Sequence, residues 1–255
     1  MDRLEHKVVI VTGATAGIGL ATARILAARG ARVVAVGHRQ AALDRVAAEL
    51  PGALPLLADL ARPEEARTMV EAAHSALGRI DVLINNAGQG YEATVAEADA
   101  ATYAELYGLN VLGPLAAMHA AIPHMRRAGG GRIINVCSPV ARMALPGLGL
   151  YASTKAALRV LTLTARGELA RDGIVVSLFY PYVTQSSFGE RTYRSGNAAP
   201  LPFGDAMPDP DSPEFTAGQL VAAIGGSAKE VSARSMRYIA LGMLRKRLAR
   251  RARPR

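Results

Sequence analysis

The chain has 255 residues, of which half are hydrophobic, and a formal net charge of +9, so it is long enough for one α/β domain. Its one cysteine, Cys137, excludes an intrachain disulfide and is typical of a reducing compartment. Met1–His6 is polar, and no apolar run approaches the roughly 20 residues that cross a bilayer; we therefore expect a cytoplasmic protein.

The positive charge is concentrated at the end of the chain. Residues Leu244–Arg255 contain seven basic residues and no acidic one, which leaves +2 for the other residues. We interpret 244–255 as a solvated basic tail after a single domain, residues 1–243; contact with an anionic membrane surface is the open alternative. No motif indicates nucleic-acid binding.

The first elements in the chain are a buried strand, Lys7–Val11, and a helix, Gly17–Arg29, joined by a glycine-rich turn. Glycines let the backbone approach a pyrophosphate, and the helix N-terminus supplies amide donors. A turn that needs small residues only for packing is the alternative. The residues expected to bind a dinucleotide here are Gly13, Thr15, Gly17, Ile18 and Gly19.

The next strand, Ala31–Val36, is followed by Gly37, where an acidic residue would hold the ribose 2′-hydroxyl of NAD. His38 and Arg39 come next, and an arginine can pair with the 2′-phosphate of NADP. We therefore expect NADP(H) to be favoured over NAD(H), although both residues could simply be solvated. Thr15 and its neighbour add no second basic residue.

The remaining strands and helices continue to alternate, which predicts a doubly wound parallel sheet of about seven strands, a Rossmann-like α/β fold. Pro114 and Pro123 should interrupt or kink one long helix. The predicted strands are 53–57, 80–84, 131–137, 174–179 and a short one near Val231, and the predicted helices are 40–50, 63–77, 99–127 and 150–171.

Tyr151 and Lys155 lie four residues apart on the last of these helices and therefore share one face. A neighbouring ammonium group favours phenolate and lowers the pKa of a tyrosine, which makes it a usable acid or base. A surface pair on an amphipathic helix is the alternative. Ser138 lies upstream, at the end of a strand, where Ser-Pro is also a turn signal.

Residues 182–211 are rich in Gly, Pro, Ser and Asn and follow the sixth strand, at the sheet edge where ligands bind in such folds. We interpret this segment as a substrate lid, with a disordered loop as the alternative.

Together these motifs resemble the short-chain dehydrogenase/reductase family. The resemblance covers about Lys7 to Thr184 and includes Thr12-Gly13-x-x-x-Gly17-Ile18-Gly19, Asn85-Asn86-Ala87-Gly88, Asn110, Ser138, Tyr151 and Lys155. It implies hydride transfer between a nicotinamide and a carbonyl or alcohol carbon.

The resemblance also implies roles for single residues. Tyr151 is the general acid or base, Lys155 lowers its pKa and binds the nicotinamide ribose, Ser138 holds the substrate oxygen, and Asn110 positions a water. Asp59 resembles the adenine contact, with a helix N-cap as its rival role. Further cofactor contacts are implied at Leu60, Asn86, Ala87, Gly88, Pro181, Val183 and Thr184.

One position departs from the family, because Tyr182 stands where Gly usually follows Pro181. Tyrosine does not adopt positive φ cheaply, so either the backbone differs or the ring projects into the site. We expect Tyr182 and Phe188 to contact substrate beside Ser138 and Tyr151.

The chain is therefore predicted to be an NADP(H)-dependent oxidoreductase acting on a small ketone or secondary alcohol. The resemblance further implies a homodimer or homotetramer. The five histidines show no metal-ligand pattern, so we predict no metal. A cofactor-binding regulator or scaffold without turnover is the alternative from another functional class.

Overall fold

The computed structural model describes residues 4–195 and 208–235. Its centre is a parallel sheet of seven strands in the order β3-β2-β1-β4-β6-β7-β9, which confirms the predicted fold class. The strands of this sheet are β1 (Val8–Thr12), β2 (Arg32–Gly37), β3 (Leu54–Leu57), β4 (Val82–Asn85), β6 (Gly131–Val136), β7 (Ile174–Tyr180) and β9 (Glu230–Ser232).

Helices cover both faces of this sheet, so its strands are continuous apolar runs rather than alternating ones. One core cluster joins the sheet to α3, α5 and the end of α6, and the other joins it to α1, α2 and α8. The helices are α1 (Gly17–Ala28), α2 (Gln40–Glu49), α3 (Pro63–Leu77), α4 (Ala100–Tyr107), α5 (Gly113–Arg127), α6 (Gly149–Glu168), α7 (Phe188–Arg191) and α8 (Pro213–Gly225).

The strand order reverses between β1 and β4. From β1 the chain first adds β2 and β3 on one side, and from β4 onward it adds strands on the other side. The connections after β1 and β4 therefore leave the sheet in opposite directions and open a crevice at its carboxyl edge, where ligands bind in open α/β sheets.

The predicted long helix 99–127 is divided in the structure. A π-helical turn, Gly108–Leu112, separates α4 from α5. Pro114 has no N–H to donate to the carbonyl four residues earlier, that of Asn110, which favours an irregular turn at this point. Pro123, which was also expected to interrupt the helix, lies inside α5, and the helix continues through it.

Helix α8 is absent from the predicted elements. Ser212 caps it, since the Ser212 hydroxyl accepts a hydrogen bond of 3.1 Å from the amide of Phe215, and Pro213 occupies the first turn. Its apolar side packs against α1 through Leu220, Val221 and Ile224.

The segment predicted to be a lid contains regular structure. After β7 the chain forms the short helix α7 and the strand β8 (Tyr193–Arg194), which pairs in parallel with β5 (Tyr91–Glu92). Residues 196–207 of the predicted lid and the basic tail 244–255 lie outside the described residues, so the lid, the tail and the domain boundary at 243 stay predictions. Among the residues that are described, every helix is too short or too polar to span a membrane.

Candidate active site

The glycine turn lies between β1 and α1, at the carboxyl edge of the sheet. Gly13 and Gly17 have φ of +66° and +52°, in the left-handed region that favours glycine. At Gly19 a side-chain carbon would clash with the carbonyl oxygen of Gly13. Each glycine is therefore required by backbone conformation or by close packing.

Helix α1 begins without a side-chain cap. Ala16 is its N-cap residue and makes no side-chain hydrogen bond. The first amide groups of the helix thus lack an intrahelical acceptor, and they lie at the positive end of the helix dipole. These uncapped amides and the glycine cradle fit a dinucleotide pyrophosphate.

A cavity of about 460 Å³ opens beside this turn. It brings together residues predicted to bind cofactor, and further residues that the sequence patterns did not indicate also line it, among them Arg62, Gln89, Glu105 and Tyr193. The cavity contains the predicted residues Gly13, His38, Asp59, Leu60 and Ala87.

Thr12 and Asn86 join the glycine turn to the chain that leaves β4. The Thr12 hydroxyl accepts hydrogen bonds from the amides of Asn86 and Ala87, at 2.9 and 3.0 Å. The Asn86 side-chain amide donates to the carbonyl of Thr12 at 2.8 Å. The two loops that flank the crevice are thereby held at a fixed separation.

At the end of β2, Gly37 stands where NAD sites typically have an acidic residue. A side-chain carbon at Gly37 would lie 2.6 Å from the methyl group of Thr15, which would then have to turn away. His38 lines the cavity, whereas Arg39 is not among its lining residues and is the exposed N-cap of α2.

Asp59 does not cap a helix, so that rival role is wrong. The N-cap residue of α3 is Arg62, without a side-chain hydrogen bond. The Asp59 carboxylate instead accepts from the amide of Ala61 at 3.1 Å and lies 3.6 Å from the Arg62 guanidinium. Asp59 remains available at the wall of the cavity, beside a basic residue.

Tyr151 lies in the first turn of α6, beside the loop that carries Ser138. The Ser138 hydroxyl accepts from the amide of Val140 at 3.4 Å and lies near enough to the Tyr151 phenol to influence its pKa. Burial raises the pKa of the phenol above its ordinary value, and the nearby Ser138 hydroxyl offsets only part of that rise. The tyrosine is thus a protonated donor in this state.

Lys155 is buried one turn farther along α6. Its ammonium group donates to the carbonyl of Val136 at 3.1 Å and lies 5.9 Å from the centre of the Tyr151 ring. Burial lowers the pKa of this lysine. The expected lowering of the tyrosine pKa by Lys155 is absent in this state, because the ammonium group is directed to Val136.

Asn110 lies in the π-helical turn, fully buried. Its side chain accepts from the amide of Gln89 at 3.0 Å and donates to the Gln89 carbonyl at 2.9 Å and to the Thr154 hydroxyl at 3.0 Å. Thr154 in turn donates to the carbonyl of Tyr151 at 2.8 Å. Both amide hydrogens of Asn110 are thus used to position its neighbours.

Gly88 lies where these groups converge. A side-chain carbon there would be 3.0 Å from the Asn110 amide oxygen and 3.2 Å from the Lys155 nitrogen. Glycine at this position lets the loop after β4 approach both side chains.

The strap formed by residues 184–195 lies over the crevice. The Phe188 ring contacts the Tyr151 ring, with centres 6.0 Å apart, and Gln89 donates from its side chain to the Arg191 carbonyl at 2.7 Å. At the other end of the strap, Tyr193 joins the wall of the cofactor cavity. Its pairing with Tyr91, about a hundred residues away, left no local sequence signal.

The φ of Tyr182 is negative, so its backbone does not adopt the positive φ that a glycine at this position would permit. The side chain is buried, and its hydroxyl donates to the Pro208 carbonyl at 2.8 Å. Val183 and Thr184 continue the chain toward the strap; the Val183 carbonyl accepts from the Asp211 amide at 2.8 Å. The structure thus holds the Tyr182 hydroxyl at Pro208, while the residue stays beside Pro181.

Cys137 is a buried thiol behind Lys155. Burial raises its pKa, and it contacts Leu178 and Tyr180, as a hydrophobic residue would. Within the described part of the chain, no three His, Cys, Asp or Glu side chains lie where they could hold a metal ion together.

Comparison with known proteins agrees with this geometry. The family described as short chain dehydrogenase matches residues 7–196. An uncharacterized oxidoreductase of Methylorubrum extorquens is 34% identical over 248 residues, covering 89% of this chain and 99% of that protein.

Two solved structures share the fold over nearly their full length. A 3-ketoacyl-(acyl-carrier-protein) reductase from Brucella melitensis, complexed with NADH, is 28% identical with a TM-score of 0.81, covering 90% of this chain and 97% of that one. An alcohol dehydrogenase from Thermococcus sibiricus, complexed with 5-hydroxy-NADP, is 25% identical with a TM-score of 0.79, covering 91% and 97%.

The matched region contains the glycine turn, the crevice and the residues around Tyr151. The chain therefore belongs to the short-chain dehydrogenase family and is an NAD(P)-dependent oxidoreductase.

Proposed function

We propose that this enzyme is an NADP(H)-dependent ketoreductase in which Tyr151 is the general acid for reduction and the general base for oxidation. The observation that carries the proposal is the position of Tyr151 beside the loop of Ser138 and one helical turn from buried Lys155, whose nitrogen lies 5.9 Å from the centre of the Tyr151 ring. A substrate oxygen that accepts from both hydroxyls would lie where negative charge develops.

A nicotinamide held in the crevice would supply a hydride to the carbonyl carbon, or accept one from the alcohol carbon. In reduction, Tyr151 gives its phenolic proton to the carbonyl oxygen, and Ser138 donates a hydrogen bond to the same oxygen. The phenolate left behind is next to Lys155, whose ammonium group stabilises it and can return a proton. In oxidation the same groups act in reverse order.

Burial keeps the Tyr151 phenol protonated in the ligand-free state, but its raised pKa makes it a weaker acid than an ordinary phenol. Reduction therefore also needs Lys155 near the phenol, to stabilise the phenolate that forms. For oxidation, Lys155 must leave the Val136 carbonyl and approach the phenol. Lys155 would also hold the ribose of a bound nicotinamide, as the family resemblance implies, and we propose that its ammonium group then lies nearer the phenol.

The choice of NADP(H) is supported by the end of β2 and by Arg62. Gly37 offers no carboxylate to repel a 2′-phosphate, and His38 and Arg62 line the cofactor cavity. Arg39 makes no ion pair within residues 4–195 and 208–235 and can reach a phosphate from the N-cap of α2. The solved neighbours contain both cofactor types, one with NADH and one with 5-hydroxy-NADP.

The proposal keeps a small ketone or secondary alcohol as substrate, and a homodimer or homotetramer as the assembly. The Brucella melitensis neighbour acts on 3-ketoacyl groups, which makes 3-oxo esters and thioesters the first compounds to test. Light scattering at several protein concentrations measures the assembly independently of turnover.

The deciding experiment is a screen of ketones and alcohols, read by the absorbance of reduced nicotinamide, with Tyr151→Phe as the matched variant. We expect Tyr151→Phe to lower kcat by about 10²–10⁴-fold while the Kd for cofactor stays unchanged. Retained turnover in Tyr151→Phe would refute the acid–base assignment, and cofactor binding without any turnover would favour the regulator alternative.

A further inference from the structure

A second cavity of about 220 Å³ lies beside the reaction centre. It borders Pro139, which directly follows Ser138, and Pro181, at the end of β7. The cofactor cavity shares none of its lining residues, which are Pro139, Arg142, Met143, Tyr180, Pro181, Tyr182, Ser232 and Arg234. We refer to it as the arginine cavity.

One part of the arginine cavity is apolar. Pro139, Pro181 and Met143 contribute aliphatic surface, and Tyr180 contributes its ring. Met143 is a large hydrophobic side chain that is exposed. Single exposed hydrophobic residues are common on protein surfaces, but Met143 lies in a concave site, where such a side chain can contact a ligand. This wall suits the methylene groups of a ligand.

Arg142 contributes a guanidinium group to the cavity, and it shares its counter-ion, the carboxylate of Glu230, with Arg159. Its guanidinium lies 4.6 Å above the centre of the Tyr180 ring, and its Nη2 is 2.7 Å from a carboxylate oxygen of Glu230. The other oxygen of Glu230 is 3.0 Å from Arg159. The single negative charge of Glu230 therefore faces the two positive charges of Arg142 and Arg159, which leaves one positive charge uncompensated among these three side chains.

Arg142 also keeps hydrogen-bond donors for a ligand. A guanidinium has five N–H groups, and the contacts of Arg142 within the described residues go to Glu230 and Tyr180. Its side chain is 48% exposed. The stacking on Tyr180 restricts its position, so it can donate without a large loss of side-chain freedom.

Arg234 forms a second polar wall, and its guanidinium charge is paired with the buried carboxylate of Asp211. It is 2.6 Å from Asp211 and 3.9 Å above the centre of the Phe215 ring. Ser232 lines the same cavity and adds a hydroxyl. The cavity thus combines an apolar wall with guanidinium groups and a hydroxyl.

We infer that the arginine cavity binds the end of the substrate remote from its carbonyl, and that this end carries an anionic group, a carboxylate or a phosphate. The inference rests on the proposed ketoreductase function, since it extends the substrate of that same site. Arg142 lies four residues after Ser138 along a 3₁₀ helix, which separates the two by about 8 Å. A linker of several methylene groups between carbonyl and anion fits this separation and the apolar wall.

The test compares oxo acids of increasing length, from 4-oxopentanoate to 7-oxooctanoate, with their methyl esters. The matched (oxoalkyl)phosphonates and their neutral diesters distinguish a phosphate from a carboxylate. We expect kcat/KM for the favoured acid to exceed that for its ester by about tenfold or more, since a charge-assisted hydrogen bond is lost in the ester.

Arg142→Gln should reduce this acid-to-ester ratio by about tenfold, mainly through KM for the acid, and Arg142→Lys should restore part of it. Ser232→Glu, which adds a carboxylate to the cavity, should also lower the ratio. The matched control is Arg126→Gln, which removes a surface arginine paired with Asp172 and should leave the ratio as it is.

Equal kcat/KM for acids and esters in the wild-type enzyme would overturn the inference, as would an unchanged ratio in both Arg142→Gln and Ser232→Glu. If no carbonyl compound is turned over, the proposed function fails separately. Direct binding by NMR then decides: saturable 5-oxohexanoate binding that Arg142→Gln abolishes supports the cavity, and no binding overturns it.

Discussion

The amino and carboxyl edges of the central sheet differ in the partners that their charged groups have. At the amino edge, Asp81 accepts hydrogen bonds from Lys7 at 3.0 Å, from the Val8 amide at 2.9 Å and from Arg79 at 2.5 and 2.8 Å. At the carboxyl edge, buried Lys155 donates to the carbonyl of Val136, and the first amides of α1 have no side-chain cap.

This difference separates stability from function. Charges that are fully paired in the folded state stabilise it, whereas a buried charge without a carboxylate and uncapped amides cost free energy until a ligand satisfies them. The amino edge therefore holds β1 and β4 together, and the carboxyl edge keeps polar groups ready for the cofactor and substrate.

Lys155→Met should separate the effect on turnover from the effect on Tm most clearly. We expect it to reduce turnover by at least about 10²-fold, because the phenolate of Tyr151 loses its neighbouring cation. Its Tm should stay equal to that of the wild type or rise, since a buried ammonium group is replaced by an apolar side chain of similar length. Steady-state kinetics and thermal unfolding without cofactor measure both; a large fall in Tm would break the comparison.

Asp81→Asn is the matched change at the amino edge. It should lower the free energy of unfolding by about 2 kcal/mol, since charge-assisted hydrogen bonds are lost, and Tm by about 4–8 °C. The kcat measured well below this Tm should equal that of the wild type. Denaturant unfolding and initial rates check the two expectations, and a selective loss of kcat would contradict them.

Arg39→Glu tests whether a charge at the carboxyl edge is kept for a ligand. We expect it to raise the Kd for NADPH by about tenfold or more and that for NADH much less, because a carboxylate repels the 2′-phosphate. Its Tm should hardly change, since Arg39 is exposed. Equal effects on NADPH and NADH would remove the phosphate-binding role, and Arg45→Glu, on an exposed part of α2, is the control.

The smallest expected effect is on acid stability. Burial alone would raise the pKa of Asp81, but the hydrogen bonds from Arg79, Val8 and Lys7 outweigh it and hold the pKa below its ordinary value. A depressed carboxyl pKa contributes stability that is complete above the unfolded pKa, about 3.9, and is lost as pH falls through the folded pKa.

Unfolding free energies measured from pH 5 downward should therefore fall less steeply in Asp81→Asn than in the wild type. Parallel curves would show that Asp81 has no part in the acid transition. Lys155→Met, which leaves the amino edge intact, serves as the reference and should follow the wild-type slope in this range.

Local patterns were sufficient to predict most of the fold. The apolar runs of β1, β4 and β7 and the glycine turn agree with the structure because burial on both faces and positive φ leave direct marks in the residues. Helix α8 also had such a mark, Ser212 followed by Pro213, but it lay just beyond a segment dominated by helix-breaking residues.

Other features depend on contacts distant in sequence and could not be predicted. The pairing of Tyr91 with Tyr193 and the position of Arg62 at the cofactor cavity follow from tertiary packing rather than from residues nearby. The direction of the Lys155 ammonium group is another example, since the spacing of Tyr151 and Lys155 predicts one shared face but not which acceptor the nitrogen selects.

Gln89 connects the strap, residues 184–195, to Tyr151 through a series of hydrogen bonds. Its side chain contacts the carbonyl of Arg191, and its backbone is bonded in both directions to Asn110, which leads through Thr154 to Tyr151. Detaching residues 184–195 thus releases one end of a continuous series of bonds whose other end seats the proton donor. We therefore expect the position of the strap to influence the backbone of Tyr151, and through it the placement of the phenol.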